Sequence, residues 1–106
     1  STITVQELKA KIDAKDDFYL IDVREPSEYE IVSIPGAHLI PKQGFIDGSV
    51  LASLPQDKPI ILHCKSGVRS AECLAILKNA GFADSSHVSG GVIAWAKQID
   101  TTLPVY

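Results

Sequence analysis

The feature that most constrains the fold is an unbroken apolar run at residues 59–64 that leads directly into a short glycine-containing loop. A run of this kind predicts a strand at the centre of a parallel sheet, covered on both faces. After the loop, residues 69–79 carry apolar side chains at positions 71, 74, 75 and 77, and Gly81 follows. This pattern predicts a helix that ends at a glycine cap. The segment therefore predicts a strand, a tight loop and a helix, with Cys64 where the strand ends.

The rest of the chain alternates in the same way between short strands and helices. Thr4 and Glu7 have the spacing of a capping box, which predicts a helix from Val5 to about residue 15. The other expected elements are a strand at residues 18–23, a helical turn from Pro26, a strand at 38–40, a short helix near 49–53, a strand around 87–88 and a last helix that opens at Gly90 and Gly91 and carries Trp95. Such alternation predicts a single α/β domain over residues 1–106, with a mostly parallel central sheet and helices on both faces.

Cys64 lies where parallel sheets bind their ligands, beyond the carboxyl end of a strand. Three features favour its thiolate form: the amino terminus of the following helix, Lys65 beside it, and Arg69 at the far end of the loop. Ser66 and Gly67 let the backbone curl so that successive amides point inward as an anion-binding nest. We therefore expect Cys64 to be an activated thiol rather than a chance cysteine in a turn.

The second cysteine and the three histidines give no comparable signal. Cys73 falls in the middle of the predicted helix, and we interpret it as a buried small hydrophobic residue, while a role as a resolving thiol for Cys64 stays open. The cysteine spacing matches neither a zinc site nor a Cys-x-x-Cys redox centre, and it fits a reducing compartment. His38, His63 and His87 are scattered one per segment, so we interpret them as structural or surface residues and expect no metal site.

Charge and composition argue against two classes of partner. The net charge is −3, which gives no support for nucleic-acid binding. No apolar run is long enough to cross a bilayer, so we expect no membrane contact. The chain begins with Ser1 and contains no methionine, so we expect a domain taken from a longer chain. Because no signal peptide precedes the first element, we expect a cytoplasmic location.

Four segments, in this order and spacing, resemble the rhodanese (sulfurtransferase) domain: LIDVREPSEYE, IPGAHLIP, HCKSGVRSAE and VSGGVIAWA. The resemblance covers nearly the whole chain and implies the same fold, a central parallel sheet with the active cysteine after its central strand. More narrowly, IVSIPGAHLIPK, GVIAWAKQID and the tail TTLPVY resemble the carboxyl-terminal rhodanese domain that is fused to adenylyltransferases of the molybdopterin and thiamine sulfur-carrier activating type.

The resemblance also implies roles for individual residues. Cys64 would carry a persulfide, and Arg69 would anchor the loop and the substrate anion. Gly90, Gly91 and Trp95 would serve packing. The cradle would be formed by the backbone amides of Lys65, Ser66, Gly67, Val68, Arg69 and Ser70. Asp22 and Arg24 match an Asp-x-Arg motif of the family, and we expect Arg24 to form a structural ion pair with Glu28.

Two positions depart from the family pattern. Val32 and Ser33 stand where many family members have Gly-His. This chain has no histidine at that place, so none can take part in its mechanism. Lys65 stands where many members have arginine, which keeps the charge but loses the planar fork that suits thiosulfate.

Three functions fit these residues. The first is a sulfurtransferase without metal or organic cofactor, which takes sulfur from thiosulfate or a cysteine desulfurase and passes it to a ubiquitin-like sulfur carrier protein. The second is a phosphatase, because dual-specificity cell-cycle phosphatases share the rhodanese fold. The catalytic loop of those phosphatases has five residues between its cysteine and its arginine, whereas four lie between Cys64 and Arg69. The third is a non-enzymatic binding module, although such rhodanese-like domains typically lack the cysteine.

Overall fold

The strands form one sheet in which every pairing is parallel. The computed structural model describes residues 1–106. The strands are β1 (Thr2–Ile3), β2 (Tyr19–Asp22), β3 (His38–Leu39), β4 (Ile60–His63) and β5 (Ser85–Val88). Their order across the sheet is β1-β5-β4-β2-β3. The apolar run thus occupies the central strand, β4, as predicted.

Helices connect the strands and cover the sheet. They are α1 (Val5–Asp13), α2 (Pro26–Ile31), α3 (Lys42–Ile46), α4 (Val68–Asn79) and α5 (Gly91–Gln98), with a 3₁₀ turn at Leu51–Ser53. The longest helix, α4, has 12 residues, and none of the helices has the length and apolar character needed to cross a bilayer.

Two apolar clusters, one on each face of the sheet, hold the layers together. Side chains alternate between the faces along each strand. Leu20 and Ile61 therefore pack with residues of α1 and α5, including Trp95. Ile21 and Leu62 pack on the opposite face with residues of α3 and α4. The predicted α/β class, with helices on both faces, is confirmed.

Local signals predicted most elements and missed two. The capping box is present, with the Glu7 amide donating to Thr4 Oγ1 and the Thr4 amide donating to Glu7 Oε1, each at 3.0 Å. The helix ends at Asp13 rather than near residue 15, because Lys15 adopts a left-handed φ of 56° that breaks the helical path. Neither β1 nor α3 was predicted, and the helix expected near residues 49–53 is only the 3₁₀ turn.

The carboxyl ends of β2, β4 and β5 meet at one edge of the sheet, because the three strands are adjacent and parallel. Asp22 ends β2, Cys64 directly follows β4, and Ser89 follows β5. The sheet therefore brings segments that are distant in sequence together around Cys64.

His63, the last residue of β4, is a fully buried histidine with no hydrogen-bond partner for either ring nitrogen. Its nearest charged group is Asp22, with Nε2 3.8 Å from Oδ2. Burial lowers the pKa of His63 to about 4 and outweighs the attraction of Asp22. His63 is therefore neutral in the folded protein at neutral pH.

This burial makes stability depend on pH. The unfolded chain takes up a proton at His63 below about pH 6.5, whereas the folded protein does so only near pH 4. Above about pH 6.5, His63 is neutral in both states and the free energy of unfolding has its full value. As the pH falls from there towards 4, protonation of His63 in the unfolded chain lowers the free energy of unfolding by about 3 kcal/mol. Urea unfolding across this range should show that decline in wild type and a shallower one in His63→Gln. The matched control is His38→Gln, which removes an exposed histidine. The assignment of the pH dependence to His63 would be contradicted if His63→Gln kept the wild-type decline in unfolding free energy while His38→Gln reduced it.

Candidate active site

The loop after β4 holds Cys64 at the base of the site and Val68 at its rim. Cys64 is 1% exposed, whereas Val68 is 68% exposed. Gly67 precedes α4 with a φ of 117°, a left-handed conformation that strains any residue with a side chain. This turn lets the chain reverse from strand to helix within three residues of the cysteine.

Backbone amides surround the Cys64 sulfur. The amides of Gly67 and Ser70 donate to Sγ at 3.1 and 3.4 Å, and the thiol lies 3.5 Å from the Ser70 hydroxyl oxygen. The resemblance implied a cradle of six backbone amides, those of residues 65–70. Two of these six, the amides of Gly67 and Ser70, donate to the sulfur itself. These donors favour a negative charge at Sγ.

The beginning of α5 holds the other side of the loop. The amides of Val92 and Ile93 donate to the carbonyl oxygens of Cys64 and Lys65 at 2.9 and 3.1 Å. A Cβ atom on Gly91 would overlap both of these carbonyl oxygens, and its φ is 56°. The interpretation of this glycine as one that permits close approach is therefore confirmed, as is the burial of Trp95 in the core.

Arg24 forms a buried ion pair with Asp22, and both side chains are fully buried. Arg24 Nε donates to Asp22 Oδ1 at 2.9 Å, and Nη2 donates to Oδ2 at 2.6 Å. The predicted Arg24–Glu28 ion pair is therefore wrong. Arg24 reaches only the backbone oxygen of Glu28, at 3.4 Å, because Asp22 binds its guanidinium from two positions away and the Glu28 carboxylate turns outward.

The partner of Glu28 is Arg69, on the first turn of α4. Nη1 and Nη2 of the Arg69 guanidinium donate to Oε1 and Oε2 of Glu28 at 2.7 and 2.9 Å. These bonds lower the pKa of Glu28 to about 2 and raise that of Arg69. Arg69 thus anchors the loop to α2, and much of its charge is already matched by a carboxylate.

Tyr106 belongs to the site although no sequence pattern singled it out. Its hydroxyl donates to Glu28 Oε2 at 2.8 Å and accepts from Arg24 Nη1 at 2.5 Å. The ammonium nitrogen of Lys65 lies 4.5 Å from the centroid of the Tyr106 ring, within cation–π range. The place of TTLPVY in the family resemblance was the only sequence signal for this residue, and it suggested no contact.

His87 is the second residue that the sequence did not connect with the site. Its Nδ1 lies 2.9 Å from the hydroxyl oxygen of Ser70, which is fully buried beside Cys64. A lone histidine in a short strand carries no motif that would reveal this contact.

Cys73 lies on the sheet-facing side of α4, fully buried in the apolar cluster with α3. Burial raises its pKa to about 12. Its interpretation as a small core residue is confirmed. The structure gathers no three histidine, cysteine or acidic side chains into a metal-binding arrangement.

Together, the fold and the site define a class of protein: an α/β domain that holds one thiol among backbone amides where the central strand of a parallel sheet ends. Within that class, residues 4–98 match the sequence model described as "Rhodanese-like domain", and the chain belongs to that family. The resemblance expected from the four sequence motifs is thereby confirmed.

Individual relatives agree with this assignment. The chain is 52% identical over its whole length to the probable adenylyltransferase/sulfurtransferase MoeZ of Mycobacterium tuberculosis, of which it covers 27%. It is 31% identical to a sulfurtransferase of Allochromatium vinosum, over 90% of this chain and 87% of that protein. The crystal structure of a rhodanese-like domain protein from Staphylococcus aureus has a TM-score of 0.81 at 33% identity, covering 100% of this chain and 98% of that one. The chain therefore spans about a quarter of the fused relative and most of the sulfurtransferase.

The two cysteines should differ sharply in reactivity. We expect iodoacetamide at about pH 8 to alkylate Cys64 about a hundredfold faster than Cys73, since Cys73 stays protonated in the core. Peptide mass mapping of time points would give the two rates, and a urea-unfolded sample should show the difference abolished. Equal rates in the folded protein would remove the evidence for an activated Cys64.

Proposed function

We propose that this chain is a sulfurtransferase that carries sulfane sulfur as a persulfide on Cys64. The observation that carries the proposal is the placement of the Cys64 sulfur, buried at the end of β4 and hydrogen-bonded by the amides of Gly67 and Ser70. The names of the relatives support it, since two of them are called sulfurtransferases.

The reaction proceeds in two transfers at one sulfur. The Cys64 thiolate attacks the outer sulfur of thiosulfate, a new S–S bond forms, and the donor S–S bond breaks as sulfite leaves with the electron pair. When the acceptor is a nucleophile, such as the cyanide of a discharge assay, it then attacks the outer sulfur of the persulfide. The Cys64 thiolate leaves with its electron pair, so the enzyme is regenerated without an external oxidant or reductant.

Amides and charges have separate roles in this proposal. The amides of Gly67 and Ser70 stabilise negative charge on the sulfur in the resting and persulfide states. Arg69 is committed to Glu28, so it positions the loop and presents only the remainder of its charge to a donor. Lys65 forms no ion pair and is the cation best placed to attract a donor anion.

The donor and acceptor follow from the fused relative. The MoeZ name joins an adenylyltransferase to a sulfurtransferase, and an adenylated carboxyl terminus is an electrophile. The outer persulfide sulfur attacks its acyl carbon, AMP leaves, and an acyl disulfide with Cys64 forms. One thiol then attacks the Cys64 sulfur and releases the thiocarboxylate, and a second thiol frees Cys64, so two thiols are oxidised to one disulfide. We therefore propose a ubiquitin-like sulfur carrier protein as acceptor, and thiosulfate or a persulfidated cysteine desulfurase as donor.

Intact mass after incubation with a donor tests the function. Wild type should gain one sulfur atom from thiosulfate or from a persulfidated cysteine desulfurase. Cys64→Ser should gain none, Cys73→Ser should gain one, and cyanide should discharge it. A phosphatase would instead hydrolyse an aryl phosphate, and a binding module would do neither. Failure of both donors to load wild-type protein would refute the sulfurtransferase proposal.

Substitution of Arg69 should mainly reduce the rate of sulfur loading, and substitution of Arg24 should mainly reduce the free energy of unfolding. Arg69→Ala removes the anchor of the loop, and we expect sulfur loading to slow by about tenfold or more, with a loss of about 1 kcal/mol in unfolding free energy. Arg24→Lys disturbs a fully buried pair, so we expect a loss of about 3 kcal/mol in unfolding free energy and a smaller loss of activity in the folded protein. Loading rates and urea melts of both variants provide the comparison. Wild-type loading by Arg69→Ala would show that its assigned role is wrong.

A further inference from the structure

The buried thiol of Cys64 needs a path for its proton. Cys64 is 1% exposed, and the amides of Gly67 and Ser70 that contact its sulfur are donors, which have no lone pair for a proton. The one acceptor within hydrogen-bond distance of the sulfur is the Ser70 hydroxyl oxygen, at 3.5 Å. A proton that leaves Sγ within the protein therefore passes to Ser70.

Ser70 is fully buried and needs a base of its own. Its hydroxyl oxygen has two further neighbours, the carbonyl oxygen of Gly67 at 3.2 Å and His87 Nδ1 at 2.9 Å. A backbone carbonyl does not take a proton at neutral pH, whereas a neutral imidazole does. His87 is thus the base in contact with the Ser70 hydroxyl.

The ring of His87 is suited to this task. The side chain is partly exposed, and no protein group hydrogen-bonds its Nε2, so that nitrogen is available to exchange with solvent. Burial of the ring lowers the pKa of His87, and the amino group of Ser1 acts in the same direction. The imidazole is therefore neutral near pH 7, and the tautomer protonated at Nε2 offers the Nδ1 lone pair to Ser70.

We propose that His87 is a positioning residue for sulfur transfer, which orients the Ser70 hydroxyl and, through it, takes the proton of the Cys64 thiol and returns it. This inference rests on the proposed function. The S–H bond of Cys64 breaks and its electron pair stays on the sulfur. Ser70 Oγ gains that proton as its own hydroxyl proton moves to His87 Nδ1. The imidazolium then loses a proton to water, and no electrons are transferred.

The product state is stabilised by the same contacts. Once Nδ1 carries a proton it donates to Ser70 Oγ, and the Ser70 hydroxyl is then free to donate to the thiolate. The charges facing His87 are few. The amino group of Ser1, which precedes β1, is the charged group that acts on the ring, and the Cys64 sulfur lies beyond the Ser70 hydroxyl. From α4 it meets the uncharged Ser70, since Arg69 on the same helix is paired with Glu28.

The pH dependence of Cys64 alkylation tests the relay, and it does so whether or not the protein transfers sulfur. His87→Gln keeps a hydrogen-bonding side chain but cannot take a proton. We expect its alkylation by iodoacetamide to be about tenfold slower than wild type near pH 7, with the deficit closing towards about pH 10, where hydroxide takes the proton. His38→Gln removes an exposed histidine on β3 and should keep the wild-type profile.

Three further variants separate the relay from a loss of structure. Ser70→Ala should slow alkylation as much as His87→Gln, and the double variant should be no slower than either single one, because both interrupt one path. His87→Ala should recover rate on addition of imidazole. A wild-type pH profile in His87→Gln, a deficit equal at every pH, or additive losses in the double variant would each overturn the proposal. If the alkylation results hold and sulfur loading fails, the relay stands and the sulfurtransferase proposal does not.

Discussion

The docking of α5 against the carbonyl oxygens of Cys64 and Lys65 is the contact on which the site depends. Because the Val92 and Ile93 amides hold those carbonyls on one side, the Gly67 and Ser70 amides can converge on the sulfur from the other. The approach is possible only without a Cβ at Gly91. The hydrogen bonds to the sulfur therefore come mainly from the backbone, and the Ser70 hydroxyl is the one side-chain group among its hydrogen-bond partners.

The charged groups around this backbone form two layers joined by a tyrosine. Asp22 and Arg24 are paired in the interior, Glu28 and Arg69 are paired nearer the surface, and the Tyr106 hydroxyl bonds to one member of each pair. A count of basic residues near Cys64 overstates its positive surroundings, because both arginines are matched by carboxylates. The buried pair fixes β2 relative to the start of α2, and the outer pair fixes α2 relative to α4.

Patterns within short stretches predicted the fold and part of the site. The apolar run at β4, the glycine loop and the periodic helix after it placed Cys64 correctly, because each signal depends only on neighbouring residues. The pairing of Glu28 with Arg69 spans 41 positions and that with Tyr106 spans 78, so no local pattern could choose between Arg24 and Arg69 as the partner. The helix α3 was missed because it is short and lies among prolines and glycines, which are typical of loops. The contact of His87 with Ser70 was missed because it depends on tertiary packing.

The placement of β1 beside β5 has a consequence for how the chain reaches its native state. Thr2 pairs with His87 although almost the whole domain lies between them, and the other strand pairs are also separated by crossover segments. Such non-local pairing slows folding relative to a helical bundle of the same size. On a ribosome that adds about 5–20 residues per second, β1 waits on the order of ten seconds before β5 emerges. The strand that carries His87 is therefore among the last to gain both neighbours, and the sheet closes only after β5 has emerged.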